Sequence, residues 1–109
     1  MYEEKVVLCG ANSYTEKYYL NPDFEQLPED IKNELKIMCV LYVHDVGGIL
    51  TLVYEEDGSL CFEVASEEGD PMFDDIGSAL KIKKLQTEKQ DLLESLQLYY
   101  RVFFLGEEL

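Results

Sequence analysis

The sequence predicts an α+β fold, an antiparallel sheet of two hairpins with two helices on one face, in the order β-β-α-β-β-α. Two pairs of short apolar runs, each pair separated by turn residues, indicate the hairpins. Two longer segments repeat apolar residues at helical spacing. The length of 109 residues, 47% of them hydrophobic, predicts one domain spanning residues 1–109 around one core.

The first hairpin is predicted between residues 5 and 20. Residues 6–9 form a compact apolar run, and residues 14–20 are rich in strand-forming side chains. Gly10 and the three residues after it supply turn formers between these runs. The sequence does not fix the pairing register of the two strands.

The first helix is predicted from Pro28 to Gly47. Proline suits the first helical position, and the acids behind it favour the positive end of the helix dipole. One helical stripe of apolar side chains follows: Ile31, Leu35, Met38, Cys39, Tyr42 and Val46. A strand over residues 37–43 is the alternative, because those residues also form strands well; the stripe favours the helix.

Residues 49–54 and 60–64 predict the second hairpin, for which two registers compete. A two-residue turn at residues 57–58 would mix polar and apolar side chains on each face. A three-residue loop over residues 56–58 instead places Gly58 where a left-handed conformation is required. It also gives one wholly apolar face from the pairs Tyr54–Leu60, Leu52–Phe62 and Leu50–Val64. We therefore favour the three-residue loop.

A long C-terminal helix is predicted from about Asp74 to Leu105. Lys89 interrupts its apolar stripe, which consists of Ala79, Ile82, Leu85, Leu92, Leu93, Leu96, Tyr99, Tyr100 and Phe103. Roughly 30 residues at 1.5 Å each give about 45 Å, which exceeds the diameter of about 35 Å expected for a compact chain of this size. Residues 98–105 carry bulky apolar side chains around the whole helix, and exposed apolar surface of that size marks an interface. The predicted self-association interface consists of Leu98, Val102, Phe104 and Leu105, and a homodimer is the commonest arrangement. The alternative is a kink near Gly77, with the last turns buried in the same chain.

The charge distribution argues against two classes of partner. The formal net charge is −14, from 23 acids and 9 bases. No Lys or Arg lies between Lys36 and Lys81, whereas binding to a phosphate backbone requires clustered cations. We therefore expect no nucleic acid and no membrane as a partner. Because the sequence shows neither a signal peptide nor an apolar stretch of about 20 residues, we also expect a cytoplasmic protein.

Candidate chemistry is sparse. His44 and Asp45 are neighbours on a predicted helix, so Asp45 points away and does not orient the imidazole as a catalytic carboxylate does. The cysteines at 9, 39 and 61 form no CxxC pair and are expected to be buried free thiols. Residues 9–14 lack the glycine and lysine pattern of a phosphate loop. The carboxylates near residues 55–57 and 67–75 lack the spacing of a calcium loop. We expect no catalytic residue, no cofactor and no metal site.

Three hypotheses of function follow. The first is a non-enzymatic, self-associating interaction module, with an unidentified protein as a further partner. The second is a small-molecule binding protein or minor enzyme that holds a cationic ligand or a metal between tyrosines and an acidic loop; its sign would be a concave, tyrosine-lined pocket containing His44 or buried carboxylates. The third is an acidic mimic of nucleic acid, and it ranks last because the acids fall in a hairpin and a loop.

Three segments carry a resemblance to a known group of proteins. They are residues 45–52 (DVGGILTL), residues 55–58 (EEDG) and residues 98–106 (LYYRVFFLG). The chain resembles a family of small, acidic, uncharacterised bacterial proteins that is defined only as a domain of unknown function. The resemblance implies a stand-alone, single-domain bacterial cytoplasmic protein. It implies no activity, ligand or catalytic residue.

Overall fold

Four antiparallel strands form one sheet in a computed structural model that describes residues 5–108. The strands are β1 (Val6–Asn12), β2 (Lys17–Leu20), β3 (Ile49–Tyr54) and β4 (Leu60–Ala65). Their order in the sheet is β2-β1-β3-β4, so that β1 and β3 form the centre. The predicted α+β class and the order of elements along the chain are confirmed.

Three α-helices accompany the sheet instead of the predicted two. They are α1 (Glu29–Val46), α2 (Asp75–Glu88) and α3 (Gln90–Phe103), and a short 3-10 turn spans Pro22–Phe24. Helix α1 confirms the helical prediction for residues 37–43, and Pro28 stands at its N-cap, one position earlier than predicted. Gly47 ends the helix with a φ of 78°, a backbone conformation that glycine adopts without steric cost.

The second hairpin has the predicted register. Strands β3 and β4 pair Tyr54 with Leu60, Leu52 with Phe62 and Leu50 with Val64. Gly58 has a φ of 89°, as the three-residue loop requires. The register is well specified because a slip by one residue would turn the apolar set towards solvent.

The first hairpin differs from its prediction. Strand β1 continues to Asn12, and the turn occupies residues 13–16 in place of residues 10–13. Gly10 pairs with Tyr19 on one side and Thr51 on the other. A Cβ atom on Gly10 would lie 2.8 Å from the Leu50 carbonyl oxygen, so the glycine permits a close strand contact. The prediction was wrong because pairing with β3 extends β1 through residues of turn-forming type.

The predicted continuous C-terminal helix is also wrong. The helix begins as expected at Asp74, whose side chain accepts a hydrogen bond from the Gly77 amide at 2.8 Å. It breaks at Lys89, where φ is −106° and ψ is 20°, and not near Gly77. The Lys89 ammonium lies 3.3 Å from a Glu34 carboxylate oxygen on α1. Because of the break, α3 packs back towards the sheet instead of extending beyond it.

The core lies between the helices and one face of the sheet. Helix α1 contributes buried side chains that include Leu35, Cys39 and Tyr42, and α3 contributes Leu92, Leu96 and Tyr100. These side chains belong to one apolar cluster with the inward residues of the central strands, Cys9, Ala11, Leu50, Leu52 and Tyr54. An antiparallel sheet tolerates solvent on its other face, which here carries Tyr19 and Thr51.

Candidate functional sites

An exposed apolar surface lies at the end of α3. Phe103 is 70% exposed, and Leu98, Phe104 and Leu105 are 39–42% exposed. We call these four residues the C-terminal patch. Three of the four predicted interface residues are among them, while the fourth, Val102, is partly buried.

The predicted apolar stripe includes Phe103, whereas the structure places this side chain on the outside. The buried stripe of α3 consists of Leu92, Leu96 and Tyr100. Since the break at Lys89 separates α3 from α2, a stripe drawn through both helices does not give the inward face of the second one. The lysine that interrupts the apolar stripe was the sequence signal for this change.

Phe104 of the patch belongs to a stack of aromatic rings that reaches into the core. The Phe104 ring lies 4.8 Å from the Phe24 ring and 5.0 Å from the Tyr100 ring, measured between centroids. Tyr100 in turn stacks on Tyr54 at 4.1 Å. Phe104 therefore belongs to the patch and packs on rings of the core, whereas Phe103 contacts the Tyr99 ring at 4.8 Å. The stack therefore holds the Phe104 side chain against the core.

The patch lies in a segment of the chain that contains a positive charge but no acid. Residues 95–106 contain no Asp or Glu, although the chain as a whole carries a net charge of −14. Arg101 lies in this stretch, and its Cγ would be 2.6 Å from a Cβ atom placed on Gly58. The turn between β3 and β4 thus rests against α3. In that turn, hydrogen bonding from Ser59 holds the pKa of the Asp57 carboxyl below its usual range, with a smaller contribution from Arg101.

A groove of about 640 Å³ lies between α1 and the turn that joins β1 to β2. We call it the lysine groove, because two lysines and one histidine line it. The full lining is Ala11, Asn12, Ser13, Glu16, Lys17, Tyr18, Lys36, Val40, Val43 and His44. The groove combines Tyr18 with His44, as the second hypothesis of function anticipated. Its charged side chains are nevertheless mostly cationic, so it does not suit a cationic ligand.

The turn beside the groove is held by side-chain hydrogen bonds. The Asn12 Oδ1 atom accepts from the backbone amides of Tyr14 and Thr15 at 2.8 and 3.2 Å. The Tyr14 hydroxyl donates to the Asp70 carboxylate and accepts from the Glu67 amide at 3.0 Å. These contacts fix the acidic loop that follows β4 against the first hairpin, and that loop does not line the groove.

Glu16 is strained in the same turn. Its φ is 55°, the only positive φ of a non-glycine residue among residues 5–108. Side chains with a Cβ atom adopt this region at a steric cost. The conformation directs the chain from the turn into β2, where Lys17 and Tyr18 follow.

Two thiols are in contact in the core, behind the residues that line the groove. The Sγ atoms of Cys9 and Cys39 are 3.8 Å apart, and both side chains are fully buried. The contact with Cys9 and the burial both raise the pKa of the Cys39 thiol. Burial also raises the pKa of the Tyr18 hydroxyl, with these thiols adding to the effect. Neutral, protonated groups are therefore favoured here, which suits a structural role.

His44 and Asp45 do not form a catalytic pair with a nucleophile. The His44 Nδ1 atom lies 3.7 Å from an Asp45 carboxylate oxygen on the exposed side of α1. The other Asp45 oxygen lies 2.6 Å from the Lys81 ammonium on α2, and this contact is the main cause of the lowered pKa of the Asp45 carboxyl. Asp45 therefore serves to join α1 and α2.

Residues 5–108 contain neither a metal-binding cluster nor a membrane-spanning helix. No group of three or more His, Cys, Asp or Glu side chains in this part of the chain is arranged to hold a metal ion. In the same residues, no helix combines the length and the apolar character that crossing a membrane requires.

Comparison with known proteins gives one result. The model of a family of unknown function, DUF6145, matches residues 5–108. The match confirms the resemblance to an uncharacterised family. No curated protein and no solved structure matches the chain.

Proposed function

The chain belongs to DUF6145, a family of unknown function, and we propose from its own surface that it is a self-associating interaction module, a homodimer joined through the C-terminal patch. The observation that carries the proposal is the exposure of Leu98, Phe103, Phe104 and Leu105 within eight consecutive residues at the end of α3. Exposed apolar groups that lie together are typical of interfaces. Symmetric dimers, in which one patch meets its own copy, are the commonest oligomers.

Charge favours a second copy at this surface over other parts of the molecule. Two copies carry a net charge of −14 each and repel one another where acidic surfaces meet. Residues 95–106, which carry the patch, contain no acid. Contact through these residues therefore brings apolar groups together without setting acids of this segment against one another.

The aromatic stack supports a pre-organised interface. Phe104 is held by the rings of Phe24 and Tyr100, so part of the patch loses little conformational freedom when it becomes covered. Binding costs fall when the contacting side chains are already ordered. A dimer formed on such a base needs no rearrangement of α3.

The proposal includes a bacterial cytoplasmic location. All three cysteines are free thiols, and a reducing compartment preserves thiols in that state. The family resemblance described above points to the same setting.

The oligomeric state tests the proposal. Sedimentation velocity at high micromolar concentration is expected to show a dimer for the unmodified chain and a monomer for the double variant Leu98→Ser with Phe103→Ser. The control is Ile76→Ser with Leu80→Ser, which removes two exposed apolar side chains from α2 and should leave the dimer intact.

Salt gives an independent readout. Added salt screens the repulsion between acidic copies, so the dimer should become stronger as ionic strength rises. An unmodified chain that stays monomeric at high micromolar concentration and high salt refutes the proposal. A dimer that survives in the Leu98→Ser, Phe103→Ser variant also refutes the assigned interface.

A further inference from the structure

We propose that the lysine groove is a binding site for a small organic anion, a carboxylate or phosphate attached to an apolar body. The inference is independent of self-association, because the groove lies between α1 and the first hairpin and shares no residue with the C-terminal patch. Its volume of about 640 Å³ falls in the range usual for small-molecule sites.

Two lysines of the groove lack a carboxylate partner among residues 5–108. Six of the chain's basic residues each have a carboxylate oxygen within 4.0 Å: Lys5, Lys32, Lys81, Lys84, Lys89 and Arg101. Of the remaining three, Lys83 lies on α2, while Lys17 and Lys36 both line the groove. Within residues 5–108, neither of these two has a carboxylate partner at that distance. Lysines left without a counter-charge in so acidic a chain create a local positive field.

The groove also offers hydrogen-bond donors to an anion. Because the Asn12 Oδ1 atom already accepts from two backbone amides, the remaining polar group of this side chain is the Nδ2 donor. Ser13 and His44 add a hydroxyl and an imidazole to the lining. Glu16 is the one carboxylate that lines the groove, and it opposes an anion.

The apolar wall of the groove indicates the shape of the ligand. The rest of the lining is apolar, with Ala11, Val40 and Val43 beside the Tyr18 ring. A bare inorganic anion would leave this wall uncovered. A ligand with an aromatic or aliphatic body attached to its anionic group covers the wall and reaches the lysines at the same time.

Amide chemical shifts of the ¹⁵N-labelled protein provide the test, with phenyl phosphate and benzoate as the probes. Both are expected to shift the amides of Ser13, Lys17 and Lys36, with saturation as the concentration rises. Inorganic phosphate should bind more weakly, because it lacks the apolar body. Benzylamine, which has the aromatic ring but the opposite charge, should shift none of these amides.

Substitutions distinguish binding in the groove from nonspecific attraction of the anion to any lysine of the chain. Lys17→Gln and Lys36→Gln should each weaken phenyl phosphate binding about fivefold, the effect of one solvent-accessible charge pair. Lys83→Gln, the matched lysine on α2, should leave the affinity unchanged. Glu16→Gln should tighten binding about threefold, because it removes the opposing carboxylate.

Three results would overturn the assignment: no saturable shifts with either probe, equal affinity for benzylamine, or equal weakening by Lys83→Gln. The Leu98→Ser, Phe103→Ser variant serves as a further control and should bind phenyl phosphate as the unmodified chain does. Loss of dimers with retained anion binding, or the reverse, distinguishes a failure of one proposal from a failure of the other.

Discussion

The hydroxyl of Tyr54 donates a hydrogen bond to the backbone carbonyl of Leu96 at 2.9 Å, inside the core. It joins the central strand β3 to α3, and the Tyr54 ring stacks on Tyr100 one turn further along the helix. This contact therefore helps to fix the helix that carries the C-terminal patch.

Replacing Tyr54 by Phe should lower the free energy of unfolding by about 1 kcal/mol, the usual net contribution of one hydrogen bond. The ring and its stacking are kept, so the loss reports the hydroxyl alone. Urea denaturation followed by circular dichroism measures the change. Tyr19→Phe, on the exposed strand β2, is the control and should leave the midpoint unchanged; a Tyr54→Phe midpoint equal to the unmodified one would contradict the prediction.

The contact between Tyr14 and Asp70 predicts a dependence of stability on pH. Hydrogen bonding from the Tyr14 hydroxyl, and then from the Met72 amide, holds the pKa of the Asp70 carboxyl below its ordinary value of 3.8. A lowered pKa in the folded state stabilises the protein above 3.8, and this stabilisation is lost as the pH falls through the lower folded value. Tyr14→Phe should therefore be less stable than the unmodified chain at pH 6, and the difference should shrink in stronger acid.

Urea denaturation of both proteins at pH 6 and near pH 3 measures this difference. Asp70→Asn, which cannot titrate, serves as the second variant and should show the smallest change between the two pH values. A gap between Tyr14→Phe and the unmodified chain that stays constant from pH 6 to strong acid would contradict the assignment to Asp70.

The positive φ of Glu16 predicts a stabilising substitution. Glycine adopts this conformation without the clash that a Cβ atom causes, so Glu16→Gly should raise the free energy of unfolding by about 1 kcal/mol. Thermal unfolding measures the gain. Thr15→Gly is the matched control, because Thr15 does not share the positive φ; it should destabilise the protein by about 0.5 kcal/mol through the greater freedom of the unfolded chain. Equal loss of stability in both variants would show that strain at Glu16 is unimportant.

The three cysteines should react at different rates in the native protein. Cys9 and Cys39 are fully buried, whereas Cys61 is half-buried on β4. Burial, and then the nearby Glu55 carboxylate, raise the pKa of the Cys61 thiol, so even this residue should react more slowly than a free thiol. Mass spectrometry after brief alkylation should find label on Cys61 first, and on the other two only after denaturation. Early label on Cys39 would contradict the described packing.

The second hairpin was predictable because only one of its two candidate registers pairs Tyr54 with Leu60, Leu52 with Phe62 and Leu50 with Val64 on one wholly apolar face. The first hairpin was less so. Gly10 is of a residue type common in turns. It lies in a strand because it pairs with β3, which is distant in the sequence. Tertiary pairing here overrides local preference.

The C-terminal patch and the lysine groove also differ in how well the sequence predicts them. Leu98, Phe104 and Leu105 lie in one short apolar segment, so their exposure could be anticipated from composition. The groove brings Lys17 from β2 together with Lys36 from α1, and no spacing in the sequence relates them. Sequence reasoning suggested a tyrosine pocket with His44 for a cationic ligand. It did not place the two lysines there, because they are unrelated in the sequence until α1 packs on the first hairpin.

The central position of β1 affects how the molecule folds. Its partners β2 and β3 lie on opposite sides of α1 in the chain. Each hairpin can therefore form from neighbouring segments. Pairing at the β1–β3 seam, in contrast, requires the intervening chain, including all of α1, to form a loop. Val6 meets Tyr54 only after nearly half of the chain has been brought into a loop, and contacts of such long sequence separation are slow to form. Closure of the β1–β3 seam should therefore limit the rate of folding, with α1 and the β3–β4 hairpin already formed.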